Sequence, residues 1–139
     1  MPLQDPEPVD LDRIAKQWVV ANRLVTEHLG EALDQSPNDL GRLQKLLELA
    51  VLAPQQTYEL QCLGIALGRV LARNVSGLDW AVIEDEYGRD PTIRYRQTTL
   101  QFNVLTMISK RLESGQGVNV RAMYDWACSQ VEALKSAVD

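Results

Sequence analysis

Apolar side chains recur every three to four positions along almost all of this chain, and only between Leu78 and Phe102 do they alternate. Helical faces repeat every 3.6 residues and strand faces every two. The pattern therefore predicts an α+β fold, mostly helical, in which five helices surround one small antiparallel sheet of about three strands. A chain of 139 residues suffices for one such core and not for two. Residues 10–139 accordingly read as a single domain.

Asp10 is placed to cap a first helix whose stripe is Ile14, Trp18, Ala21, Val25 and Leu29. Gly30 or the stretch Asp34–Pro37 ends it. A second helix begins near Asn38 or Asp39, turns Leu40, Leu43, Leu46, Leu47 and Val51 inward, and stops before Pro54. The two are expected to form an antiparallel hairpin. The third runs over about Thr57–Asn74, where Gly64 and Gly68 stand four apart among leucines. Two missing side chains one turn apart form a flat strip on which another element can lie closely. Asn103 is placed to cap a helix carrying Val104, Met107, Ile108 and Leu112, and Asn119 a last one carrying Val120, Met123, Tyr124, Ala127, Val131 and Leu134. Gly115 and Gly117 break the chain between them.

In the alternating region Trp80 and Val82 face one way and Ala81 and Ile83 the other, so this strand is expected to be covered on both sides. After the turn Tyr87–Pro91, Ile93 and Tyr95 point away from Arg94 and Arg96. Gly88 suits a turn that needs positive φ. Residues 1–9, with three prolines and two acids, are expected to be a loose leader.

The net charge of −5 gives no positive field to release counterions from phosphates, which argues against a nucleic-acid partner. The longest uncharged stretch, Leu60–Gly68, is far short of a bilayer span, so no membrane role is expected. Cys62 and Cys128 lie in helical apolar patterns, as reduced thiols of a cytoplasmic protein would. With His28 the lone histidine, no metal-ligand spacing exists, and no cofactor is expected.

The densest chemistry is Glu84-Asp-Glu-Tyr-Gly-Arg-Asp90 with the basic residues after it. Its acids lack the alternating order of a calcium loop, and Arg89, Arg94 and Arg96 can neutralise them across a hairpin. A binding surface, if the chain has one, is expected to comprise Asp85, Glu86, Tyr87, Arg89, Arg94, Arg96, Lys110 and Arg111, all largely exposed. Lys110 and Arg111 also oppose a helix dipole, with Glu113 within pairing distance. Trp18, Trp80 and Trp126 fall on or beside apolar stripes, where a large ring adds core area.

Leu63-Gly64-x3-Gly68, Asp79-Trp80, Asp85-Glu-Tyr-Gly-Arg-Asp90 and Ile108-Ser-Lys-Arg-Leu-Glu-x-Gly115 together resemble the bacterial domain-of-unknown-function family 3806 over about residues 58–130. Where members have proline ahead of the Ser-Lys-Arg helix, this chain has Asn103, which can cap instead. The resemblance implies a small bacterial α+β protein and carries no activity, cofactor or catalytic residue. Two classes of function follow. One is a non-catalytic binding or adaptor protein working through protein–protein contacts. The other is an enzyme whose pocket lies between the sheet edge and the Ser109–Glu113 helix, using Asp85 or Glu86 with Tyr87, Lys110 or Arg111.

Overall fold

The segment Thr57–Asn74 is apolar on nearly every side, and a helix of that kind must be enclosed. In the computed structural model, which describes residues 3–138, this helix, α3, is the axis of the molecule. Around it stand α1 (Pro8–Leu29), α2 (Asn38–Glu48), α4 (Val104–Glu113) and α5 (Val120–Val138). Both faces of α3 are buried, from Leu60 and Leu63 to Val70 and Leu71. An antiparallel sheet closes one side in the order β1 (Leu3–Gln4), β2 (Leu78–Asp85), β3 (Gly88–Tyr95), β4 (Gln101–Phe102). The described residues are 59% helical, so the mixed α+β class holds, with four strands rather than three.

The additional strand comes from the segment expected to be a loose leader. Residues 1–2 lie outside the described residues, but Leu3 and Gln4 pair with Ile83 and Val82. Pro8 then opens α1, and Asp10 is its third residue rather than its cap: Oδ2 accepts the Glu7 N–H at 2.8 Å. Pairing gives this proline-rich stretch the backbone partners its own sequence cannot supply. Gly30 ends α1 at φ 69°, donating its N–H to the Thr26 carbonyl.

The glycine strip does what its spacing predicts. A Cβ on Gly64 would collide with the carbonyl oxygen of Val104, and one on Gly68 would stand 2.5 Å from the Trp80 ring and 2.9 Å from Val104 Cγ2. Helix α4 and strand β2 thus lie on the bare part of α3. The β2–β3 hairpin turns through Glu86 and Tyr87, with Asp85 opposite Gly88 at φ 139°. Asn119 caps α5, accepting the Ala122 N–H at 2.9 Å. Asn103 precedes α4 but makes no cap; its Oδ1 lies 2.9 Å from the buried Thr92 hydroxyl. Val51 is exposed rather than inward, because α2 stops at Glu48.

Among the described residues no helix is long and apolar enough to cross a membrane.

Candidate functional site

The eight charged and tyrosine positions expected to share a surface are divided by the fold into three places. At the hairpin tip Asp85, Glu86 and Tyr87 are exposed, Tyr87 at 90%, and Asp85 Oδ1 accepts the Tyr87 N–H at 2.8 Å. This pins the turn.

Arg89 and Arg94 are not the free groups that alternation suggested. The Arg89 guanidinium grips Asp10 in a two-pronged contact, Nε to Oδ1 at 2.9 Å and Nη2 to Oδ2 at 2.7 Å. Its Nη1 donates to Gln4 Oε1 at 2.8 Å, and Glu7 and Glu84 stand within 3.7 Å. Arg89 therefore ties β1, the start of α1 and the β2–β3 hairpin together. Arg13 reinforces the tie, donating to the Arg89 carbonyl and to Asp90. The Arg94 side chain is only 12% exposed because Asp5, from the N-terminal segment, comes to lie 3.2 Å from it. Arg96 is exposed, its guanidinium 5.4 Å from the Tyr95 ring, and lines with Arg94 and Asp79 a small hollow of about 320 Å³.

The Arg89 guanidinium holds the Asp10 carboxyl below its ordinary range, outweighing the opposing effect of burial. A depressed carboxyl contributes stability that is fully present above the ordinary carboxyl value near pH 4 and is lost as pH falls through the lowered one. Wild type should accordingly have a higher urea midpoint than Asp10→Asn at pH 6. The difference should close between pH 4 and pH 2, and a gap unchanged with pH would refute the coupling.

Lys110 and Arg111 sit elsewhere, on the wall of a cleft of about 880 Å³ between α4 and α5. It exists because α4 packs on α3 and β3 whereas α5 leans on α2 and α3, and the loop from Ser114 to Asn119 bridges the gap. That loop is fixed at both ends. The Gln116 N–H donates to the Arg111 carbonyl at 2.8 Å, and Gln44 on α2 donates to the Val118 carbonyl and accepts the Val120 N–H. Met107, Met123, Val118 and Trp126 supply the apolar lining, the Trp126 ring meeting Phe102 edge-on at 5.4 Å. Trp126 is 50% exposed, so it does not add the core area expected of it.

Glu113 does not pair with the basic couple; it accepts a hydrogen bond from the Thr57 hydroxyl at 3.2 Å. Lys110 and Arg111 consequently have no ion-pair partner among the described residues. No acidic residue lines the cleft, although the chain has 19 of them. One clue to this face was in the sequence: Asn103, Met107, Lys110 and Ser114 recur at helical spacing yet mix polar, apolar and charged groups, unlike the buried Val104, Leu105 and Ile108. Trp126, Met107 and Met123 were overlooked because each also fits a core stripe.

Burial pushes both the Cys62 and the Cys128 thiol up, away from the reactive thiolate, and the two lie on different helices. His28 is exposed at the end of α1, and among the described residues no three His, Cys, Asp or Glu side chains converge to hold a metal ion.

Comparison with known proteins adds the family and the fold. A family model described as a domain of unknown function, DUF3806, matches residues 39–124, which runs from the first turn of α2 into the first turns of α5. No curated protein matches the chain. A solved structure from Bacteroides thetaiotaomicron is similar with a TM-score of 0.85 over 94% of this chain, at 17% identity. At that identity the likeness concerns the fold alone. This chain spans 48% of that protein's length.

Proposed function

The chain belongs to the DUF3806 family of domains of unknown function, and from that premise we propose that it is a non-catalytic binding domain that engages a partner protein through the α4–α5 cleft. The observation that carries this is the pairing of Lys110 and Arg111, both without acidic partners among the described residues, with a half-exposed tryptophan in a cleft of about 880 Å³ on a chain of net charge −5. Tryptophan and arginine dominate the energetic centres of protein interfaces, and unpaired cations steer an oppositely charged surface toward them. The fixed loop favours binding further, since a wall already ordered loses little entropy when occupied.

The enzymatic reading needs Asp85, Glu86 or Tyr87 beside Lys110 or Arg111, and these do not line one cavity. Arg89 and Arg94 are engaged in ion pairs with Asp10 and Asp5 within the fold.

The test is co-purification from the native host with tagged wild type and with Lys110→Gln/Arg111→Gln. Both side chains are exposed and glutamine is a good helix former, so circular dichroism and melting temperature should be unchanged. A partner recovered with wild type should be lost or strongly reduced with the double variant. Equal recovery with both proteins would remove the cleft as the binding site.

A further inference from the structure

Resting on the reading of the cleft as a docking site, we propose that its occupant is an amphipathic α-helix of a partner protein, about three turns long and acidic where it meets Lys110 and Arg111. The shape of the cleft argues for a helix. Its α4 wall runs from Asn103 to Ser114, about 16 Å at 1.5 Å per residue, and its α5 wall carries Asn119, Ala122, Met123 and Trp126 at helical spacing. Two helices held apart by other packing partners present the ridges and grooves into which the side-chain rows of a third can fit.

An extended peptide has less to gain there. Strand addition requires an open row of backbone donors and acceptors, whereas the α4 and α5 walls satisfy theirs internally apart from the helix ends. The sheet edges lie outside this cleft, with only Asn103, next to β4, touching it.

The lining sets the chemistry of the occupant. Met107 and Met123 are unbranched and adapt to apolar side chains of varied shape, as methionines do in grooves that receive amphipathic helices. Trp126 offers a large apolar surface beside them. Lys110 and Arg111 lie toward the α4–α5 loop, while Asn103 and Thr106 at the other end are uncharged. The occupant's acids should therefore gather at one end, with apolar residues at i, i+3 or i+4, and i+7 along the buried side. A basic helix would be repelled by the same pair and would leave them desolvated without partners.

Display selection of random 16-residue peptides on the full chain tests this, with affinities of recovered peptides read by fluorescence anisotropy and their bound helicity by circular dichroism. Peptides of net negative charge with helical apolar spacing should be enriched. Each should lose at least tenfold in affinity for Lys110→Glu/Arg111→Glu, for Trp126→Ala, and when a proline is placed at its centre. Changing the peptide's acids to lysine should restore binding to the charge-reversed protein. Melting curves of each variant establish that it is folded; the charge reversal alters exposed groups only and decides the matter if Trp126→Ala is unstable. Peptides sensitive to the cleft substitutions but indifferent to the proline, or without acids, would overturn the helix while leaving the cleft as a docking site. Peptides indifferent to all the protein substitutions, or no peptides, would overturn both. Dimerisation of the chain itself, abolished by the charge reversal, would make a second copy the occupant and overturn the inference.

Discussion

Alanine at position 64 is expected to destabilise the protein by about 3 kcal/mol, at the upper end of what an added methyl group does in a packed interior. The methyl would enter space held by the Val104 carbonyl, with the Leu105 carbonyl 3.0 Å away, and both belong to the backbone of α4. A flexible side chain could swing aside; a helix must move as a body. The gain of about 1 kcal/mol that alanine brings over glycine within a helix is already outweighed. Gly68→Ala should be milder, because its methyl meets the Trp80 and Val104 side chains. Gly41, exposed on α2 with nothing near its missing Cβ, supplies the contrast: alanine there should stabilise by about 0.5–1 kcal/mol. Urea unfolding of the three variants ranks them, and the melting temperature of Gly64→Ala should fall by roughly 10 °C. If Gly64→Ala were as stable as Gly41→Ala, α4 could not lie on α3 as described.

Removing the Asp39 carboxylate should have an effect of similar size, about 3 kcal/mol for Asp39→Ala. Asp39 is fully buried. Its oxygens accept the Asp34 N–H at 3.1 Å and the Gln35 N–H at 2.7 Å, and Arg42 reaches it at 2.9 Å. Gln35 sits at φ 67°, a conformation unusual for a side chain of its kind, and the carboxylate is what holds its amide there. Without it, donors in the α1–α2 loop and the Arg42 charge lose their acceptor together. Asp39→Asn retains one acceptor oxygen but turns an amide toward N–H groups that need acceptors, so it should lie between wild type and alanine. Equilibrium unfolding measures all three, and a loss below 1 kcal/mol for alanine would show that the loop is held by other contacts.

Asp39 also shows where a sequence stops being informative. An acid in the first turn of a helix has an ordinary explanation in the helix dipole, and nothing local distinguishes one that is exposed from one that gathers a loop around itself. Periodicity placed the helices because it reports which face is buried, and the α3 glycines were legible because only close packing accounts for two bare positions one turn apart. The N-terminal strand was not legible, since its partners Val82 and Ile83 lie almost eighty positions away. A separation of 89 positions likewise hid the covering of Arg94 by Asp5: alternation tells which face a side chain takes, not what lies over it in the fold. The cleft fell between two correct observations. The stripes on α4 and α5 both exist, but their helices pack on different neighbours, and the gap between them is a property of the assembly.

The far-apart partners of β1 also set a schedule for the chain as it is made. Gln4 leaves the ribosome well before Val82, the residue it pairs with, and at 5–20 residues per second that separation amounts to roughly 4–16 s. Through this interval α1, α2 and then α3, complete at Asn74, can form and pack, but Asp10 has no Arg89 to meet and β1 has no β2 to pair with. The acids of the first segment keep it solvated while it waits. Pulse-labelling hydrogen exchange during refolding should find the β1 amide that faces β2 protected after those of α3, with closure of the sheet among the last events on the way to the native state.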